Sequence, residues 1–370
     1  MKIHFEKDLP VVDDFKDIFL NGTPMLDVRA PVEFLQGAFP TVQNIPLMND
    51  EERHQIGLRY KQKGQDEAIR LGADLIDDTA RQQRVEAWQA FIEKHPNGLL
   101  YCFRGGMRSK ISQQWIYEQT GKKYPRVQGG YKALRRFLID TSERLIKETA
   151  FTLLSGSTGS GKTRLLAHIP QSIDLEGLAH HRGSAFGGNA APQPTQINFE
   201  NSLAIRQLKL EPKNYPTILL EDEGRNIGSI HLPKALYEKM TLSPIILLNV
   251  SAEERLQTSM QEYAIDMLND FETYYGQEQG FVHFSQALLG SLDRIKKRLG
   301  GERHKKLRKL AEAALATHQK TDNTEAHIPW VSALLTEYYD PMYNYQLDQK
   351  RDRIIFTGDR QEVLEYIRSL

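Results

Sequence analysis

The chain has 370 residues, 40% hydrophobic and 26% charged, with 48 Lys plus Arg against 48 Asp plus Glu. That length exceeds one ordinary core, so two domains are expected, and the balanced overall charge gives no hint of nucleic acid. No apolar stretch reaches the roughly 20 residues that a bilayer crossing needs, and a start reading Met1-Lys2-Ile3-His4-Phe5-Glu6-Lys7-Asp8 lacks a signal-peptide core. The expectation is a cytoplasmic protein with no membrane partner.

Up to about residue 140, strand and helix signals alternate. Pro24 to Arg29 reads as a short apolar strand, Pro31-Val32-Glu33-Phe34-Leu35 as a first helical turn opened by proline, and Gln43 to Leu47 as a second strand. Glu51 to Trp88 is polar and helical, with Val85, Trp88, Phe91 and Ile92 at helix spacing. Leu99 to Cys102 is the next strand, Ser109 to Thr120 the next helix, and Arg126 to Tyr131 closes the unit. Alternation of this kind predicts a doubly wound parallel sheet with ligands beyond the carboxyl ends of its strands.

Cys102, the single cysteine, falls at such an end, in Tyr101-Cys102-Phe103-Arg104-Gly105-Gly106-Met107-Arg108-Ser109. Gly105 and Gly106 allow successive N–H groups to curl around an anion. Arg104, Arg108 and the start of the following helix add positive charge, and together these features favour a reactive thiolate. With one cysteine there is no internal disulfide and no second thiol to discharge an adduct.

Tyr131 to Ala150 reads as a connecting helix, within which 141–150 links the halves. A second α/β unit, 151–370, opens with the strand Phe151 to Ser155 and continues with Thr217 to Asp222 and Pro244 to Val250. Between strand and helix lies Gly156-Ser157-Thr158-Gly159-Ser160-Gly161-Lys162-Thr163, a phosphate loop: glycines wrap phosphate oxygens, Lys162 brings a point charge, and the Thr163 hydroxyl suits Mg²⁺. Leu219-Leu220-Glu221-Asp222 resembles the acidic strand end that supports the metal, with Asp222 as the expected partner. His180 to Gly188 is a glycine-rich basic loop expected to form a mobile lid. His180 and His181 lack ligand partners at metal spacing, so no zinc site and no protein metal cage are expected, nor any haem or flavin. From Ala252 to about Leu335 the pattern is helical and carries the basic run Arg294, Lys296, Lys297, Arg298, Arg303, Lys305, Lys306, Arg308 and Lys309. Such a run reads either as a solvated face or as a phosphate-backbone footprint. A short strand, Arg353 to Thr357, and a helix, Gln361 to Leu370, end the chain.

The first 140 residues resemble a rhodanese domain. The resemblance is carried by Asp27-Val28-Arg29, Glu33-Phe34, Gly37, Asn44-Ile45-Pro46-Leu47, Tyr101-Cys102, Arg108-Ser109 and Gly129-Gly130-Tyr131. Ala38, where many members have histidine, and a helical insertion over about 50–95 depart from it. The spacing Cys102-x5-Arg108 also resembles cysteine phosphatases, whose larger loop fits a tetrahedral oxyanion. A rhodanese module joined to a phosphate-loop module resembles the tRNA 2-selenouridine synthases, and Asn49 to His54, Cys102 to Ser109, Gly156 to Thr163 and Tyr339-Asp340-Pro341-Met342-Tyr343 match that family.

This resemblance implies a two-stage edit of wobble 2-thiouridine in tRNAs for lysine, glutamate and glutamine. Geranyl diphosphate alkylates the sulfur, and selenophosphate, drawn from a supplying enzyme, then replaces the S-geranyl group. Cys102, with Arg104 and Arg108 and the backbone of Gly105 and Gly106, is assigned to selenophosphate. Gly156, Gly159, Gly161, Lys162, Thr163 and Asp222 are assigned to the diphosphate, with Mg²⁺. The basic run is assigned to tRNA, with Tyr338, Tyr339, Tyr343 and Tyr345 read either as stacking surfaces for it or as core. Two alternatives stay open on the residues: an ATP-dependent tRNA sulfurtransferase and a rhodanese-like cysteine phosphatase.

Overall fold

Short apolar runs alternate with helices twice along the chain, and in the computed structural model, which describes residues 5–370, they form two five-stranded parallel sheets. The chain divides into two units: residues up to Leu145 together with Ile197–Lys213, and Ile146–Gln196 together with Asn214–Leu370.

In the first unit the strands are β1 (Val11–Val12), β2 (Met25–Asp27), β3 (Val42–Asn44), β4 (Leu99–Tyr101) and β5 (Arg126–Val127), in the order β1-β5-β4-β2-β3. Side chains alternate across a strand, so each strand feeds two cores. Met25, Leu99, Tyr101 and Val127 face Ile18, Phe19, Leu134 and Leu138. Leu26, Leu100 and, one residue past the strand, Cys102 face Trp88, Phe91 and Ile116. The chain leaves β2 toward β3 on one side and β4 toward β5 on the other. This reversal opens a crevice at their carboxyl ends, where Cys102 sits.

The insertion forms three helices, Asp50–Lys63, Gln65–Leu75 and Asp78–Lys94. Asn49 starts the first with a reciprocal cap to Glu52. The third is the anchored one: Val85, Trp88, Phe91 and Ile92 are buried, and the Trp88 indole N–H donates to Ile45 O at 2.9 Å. The connecting helix is Gly130–Glu148.

An unforeseen piece of the first unit is Ile197–Lys213, which comes from the middle of the phosphate-loop sequence. Ala204 and Leu208 join the Phe19 and Leu138 core. Asn201 donates to Ala38 O at 2.7 Å, Asn198 accepts from Ala38 N at 2.7 Å, and Arg135 pairs with Glu200 and Asn201. The contiguous boundary expected at 150 differs from this partition because these contacts span 65 to 163 positions, which no local pattern encodes.

The second unit contains β6 (Phe151–Ser155), β7 (Ser172–Ile173), β8 (Ile218–Glu221), β9 (Asn226–Ile227), β10 (Ile230–His231), β11 (Ile245–Leu248) and β12 (Ile354–Gly358). β9 and β10 form a small antiparallel hairpin, and the sheet order is β7-β8-β6-β11-β12. β6 is central, with the chain crossing to β8 and β7 on one side and to β11 on the other, so the loop after β6 also lies at a switch point. Leu154, Leu219, Ile246 and Leu248 pack on Leu165, Leu166, Val363 and Ile367. The helical region, from Ala252–Met260 to Asp340–Asp348, has its own core of Phe186, Phe284, Leu288, Trp330 and neighbours. Among the described residues no helix is long and apolar enough to cross a membrane.

Candidate active sites at the two sheet ends

Cys102 is buried, and its Sγ lies 3.2 Å from Ser109 Oγ, which in turn donates to Gly106 O at 3.1 Å. The loop is held at its base, where Tyr131 N donates to Cys102 O and Lys132 N to Phe103 O, both at 2.9 Å. Gly105 takes a left-handed φ of +62°, and its carbonyl accepts from Arg126 Nη1 at 3.1 Å; Gly106 does not need a positive φ. Gly130, at φ +58°, has no room for a side chain, since a Cβ there would fall on Cys102 O and 2.5 Å from Gly105 N. Among the described residues no acceptor pairs with the amides of Phe103 to Met107, which precede the helix Met107–Thr120. A run of unpaired donors at a helix start is a cradle for an anion.

The cations differ in position. Arg108 is half-buried and bound by Glu33 at 2.5 and 3.1 Å, and Arg53 holds the same carboxylate at 3.2 Å. Burial alone would raise the Glu33 carboxyl, but these guanidiniums hold it below its ordinary value. Arg108 and Arg126 both lie near Cys102. Arg104 is exposed, its guanidinium 5.9 Å from the Phe103 ring centre. Sequence reasoning missed Arg126 and Glu33 as site residues. Below the loop, Asp27 and Arg29 form a fully buried pair at 2.7 Å, and the Arg29 guanidinium lies 3.8 Å from the Tyr131 ring centre.

In the phosphate loop, Gly159 and Gly161 take φ values of +81° and +75°. The loop carbonyls are occupied: Lys162 Nζ donates to Gly156 O at 2.7 Å, Arg255 Nε to Thr158 O at 3.0 Å, and Arg360 Nη2 to Ser160 O at 3.1 Å. Carbonyls turned to arginines leave the amides for phosphate. Arg255 also pairs with Asp340, and Tyr343 Oη lies 3.2 Å from Ser155 Oγ, so the Tyr339 to Tyr343 motif packs beside the loop.

The acidic strand end departs from expectation. Thr163 Oγ1 donates to Glu221 at 3.2 Å and to Glu176 at 3.0 Å, whereas Asp222 is held by Lys350 at 2.7 Å and by Ser155 at 2.7 Å. Neighbouring residues at a strand end point oppositely, and it is Glu221 that turns toward Thr163. Burial, then the charge of Glu176, pushes the Glu221 carboxyl well up and that of Glu223 up to about 8. No group of three or more His, Cys, Asp or Glu forms a metal cage among the described residues. The oxygen set of Thr163, Glu221 and Glu176 fits Mg²⁺, which keeps waters and takes its other ligands from substrate phosphates.

Two further expectations are corrected. The His180 to Gly188 loop is anchored rather than free: Phe186 is fully buried against Tyr263 and Trp330, Arg182 donates to Glu262 O, and Arg294 donates to Ala185 O. Tyr338 and Tyr339 are core residues rather than stacking platforms; Tyr345 is 69% exposed. The basic run lies on Gln277–Leu299 and Gly301–Thr321. Lys305, Lys306 and Arg308 pair with Glu302, Glu337 and Asp293, while Lys296, Lys297, Arg298, Arg303 and Lys309 are exposed without an acidic partner among the described residues.

A cysteine loop at one sheet switch point and a phosphate loop at another define a two-unit α/β enzyme class. Residues 149–370 match the family model described as the tRNA 2-selenouridine synthase AAA domain. The chain is 50% identical over 360 residues to a tRNA 2-selenouridine synthase of Marinobacter nauticus, covering 97% of this chain and 98% of that one. It is 50% identical to the Bordetella bronchiseptica protein of that name, covering 96% of each, and 49% identical to one from Pseudomonas fluorescens, covering 96% of this chain and 97% of that one. A solved N-terminal domain from Clostridium difficile 630 overlays 35% of this chain and 98% of its own at 29% identity and a TM-score of 0.32, too slight a likeness to bear on the fold. The chain belongs to the tRNA 2-selenouridine synthase family.

Proposed function

We propose that this enzyme converts wobble 2-thiouridine of tRNA to 2-selenouridine in two stages, geranylation of the sulfur and then exchange for selenium, with geranyl diphosphate and selenophosphate as substrates. The first stage belongs to the phosphate loop. The thiocarbonyl sulfur bonds to C1 of the geranyl group as the C1–O bond breaks and diphosphate leaves with the electron pair, and the N3 proton of the base passes to water. Lys162 and the loop amides hold the diphosphate and stabilise the charge that develops on it. Thr163 and Glu221 would hold Mg²⁺, which supplies further charge to the leaving oxygens; Asp222 acts through Ser155 and Lys350.

The second stage belongs to the Cys102 loop, read as a rhodanese-type site enlarged for a tetrahedral anion. Cys102 Sγ attacks phosphorus, the P–Se bond breaks, and selenide leaves. Selenide attacks C2 of the S-geranyl uridine, geranylthiolate departs, and water hydrolyses the S–P bond to release phosphate. This route needs no reductant, in keeping with a chain that holds a single cysteine. Arg108 and Arg126, beside Cys102, and Arg104 at the mouth hold the phosphoryl oxygens. The observation that carries the reading is the buried Cys102 at the foot of a loop with unpaired amides.

Lys296, Lys297, Arg298, Arg303 and Lys309 contact the tRNA backbone, and lysine, glutamate and glutamine tRNAs are the proposed substrates. The test is mass spectrometry of the wobble base after incubation with each substrate singly and together. Cys102→Ala retains S-geranyl product and loses 2-selenouridine, and Lys162→Ala loses the S-geranyl product. Normal selenation by Cys102→Ala refutes the cysteine role; geranylation unchanged in Lys162→Ala refutes the phosphate-loop role. ATP hydrolysis stimulated by unthiolated tRNA would turn the assignment to a sulfurtransferase.

A further inference from the structure

The helical insertion encloses a cavity of about 960 Å³ that ends on the Cys102 loop. Its lining is periodic: Arg53, Ile56, Gly57, Tyr60 and Lys61 recur at helical spacing on Asp50–Lys63, and Ile69, Gly72, Ala73 and Ile76 on and just after Gln65–Leu75. Met107, Ile111 and Trp115 supply the facing wall from the helix that follows the cysteine loop.

These faces meet the core only at Ile56, Ile76, Ile111 and Trp115, which are partly buried against it. Asp50–Lys63 has no buried residue and Gln65–Leu75 has only Ala68, while Leu58 and Tyr60 are 45% and 56% exposed. Gln65–Leu75 is amphipathic and Asp50–Lys63 polar over most of its length, and the apolar surface that the pair leaves partly open is available to a ligand. Selenophosphate, small and anionic, does not need an apolar chamber of this size. Arg53 and Arg108, which share Glu33, and the exposed Arg104 make the cysteine-loop end of the cavity polar, while Ile56, Ile69, Ile76 and Ile111 give it a hydrocarbon wall between the helices.

We infer that the cavity between the insertion helices and the Cys102 loop binds the geranyl chain of the S-geranylated wobble uridine, aligning the C2–S bond with selenide released at Cys102. The inference rests on the two-stage reading and assigns the insertion its role: it holds the intermediate by the group about to be expelled.

The test uses the full chain and anticodon stem-loop RNAs whose wobble 2-thiouridine carries S-methyl, S-dimethylallyl or S-geranyl. Wild type binds the geranyl RNA at least about 100-fold tighter than the methyl RNA, a ratio that about four buried methylenes supply. Ala73→Trp, which fills the cavity from an exposed position, and Ile69→Asp, which places a carboxylate in its wall, both bring that ratio close to one, with melting temperatures recorded to establish folding. Retention of the wild-type ratio by both folded variants overturns the assignment of the cavity. Failure of wild type to convert geranyl RNA to 2-selenouridine with selenophosphate, while it converts 2-thiouridine RNA directly, overturns the two-stage reading beneath it.

Discussion

Gly130→Ala tests how tightly the cysteine loop is specified, and its neighbour supplies the control. Both Gly129 and Gly130 hold left-handed φ values, +69° and +58°, so alanine at either carries a backbone strain of about 1–2 kcal/mol. The new Cβ meets different atoms. At Gly129 it lies 2.5 Å from Ala133 Cβ in the following helix, a clash that must also be relieved but on the side away from Cys102; at Gly130 it falls on Cys102 O and 2.5 Å from Gly105 N. Backbone atoms cannot rotate away, so the loop must shift and the Tyr131 N–H bond to Cys102 O, 2.9 Å long, is stretched or lost at about 1 kcal/mol more. The Gly130 variant is expected to lose about 2–3 kcal/mol and its first unit to melt about 5–10 °C lower. A displacement of the order of 1 Å at a reacting group costs about 100-fold in rate, so selenation should fall by that factor in Gly130→Ala and much less in Gly129→Ala. The assay is the rate of 2-selenouridine formation from S-geranyl RNA, with thermal melts of both variants. Equal rates in the two variants would show that the Gly130 contact does not position Cys102.

Glu33→Gln removes the charge shared by Arg108 and Arg53; because those guanidiniums keep Glu33 ionised below the ordinary carboxyl range, the melting temperature should fall most near neutral pH and converge with wild type in acid, and a constant offset at every pH would contradict this. His327 is buried, accepts the Trp330 N–H on Nδ1 at 2.9 Å and so donates from Nε2 to His318 Nδ1 at 3.1 Å, and its pKa is pushed down to about 4 by burial and then by His318. Its folded value lies below the unfolded one, so the unfolded chain binds the extra proton: up to about 3 kcal/mol is present above pH 6.5 and lost as pH falls toward 4, and a flat urea-unfolding profile over that window is the contrary result. Glu223 behaves oppositely, since burial and then Glu176 raise it to about 8; stability should decline as pH rises from about 5 to 8. Glu176→Gln should therefore raise the melting temperature more at pH 8 than at pH 6. Replacing Lys296, Lys297, Arg298, Arg303 and Lys309 by alanine should flatten the salt dependence of tRNA binding by about 4 units of log K against log salt, and an unchanged slope would separate that hairpin from the RNA.

The sequence carried both loops in full, because each is a local device. Cys102 to Ser109 and Gly156 to Thr163 are continuous, each follows an apolar strand and precedes a helix, and their glycines state where φ is positive, except that Gly106 and Gly156 do not use that freedom. Strands of four or five residues were legible from apolar runs, while Val11–Val12, Ser172–Ile173 and the hairpin at 226–231 are too short to show a period. What the sequence could not assign were partners far along the chain. The Glu33 carboxylate on Arg108, Arg126 beside Cys102, Arg255 and Arg360 on the phosphate loop, and Lys350 on Asp222 come from separations of 21 to 200 positions. Tertiary structure alone decided that Glu221 rather than Asp222 meets Thr163, that Tyr338, Tyr339 and Phe186 are core, and that Ile197–Lys213 joins the first unit. The reason is physical: a motif fixes dihedral angles and donors within a few residues, but burial and pairing depend on which surfaces the whole chain brings together.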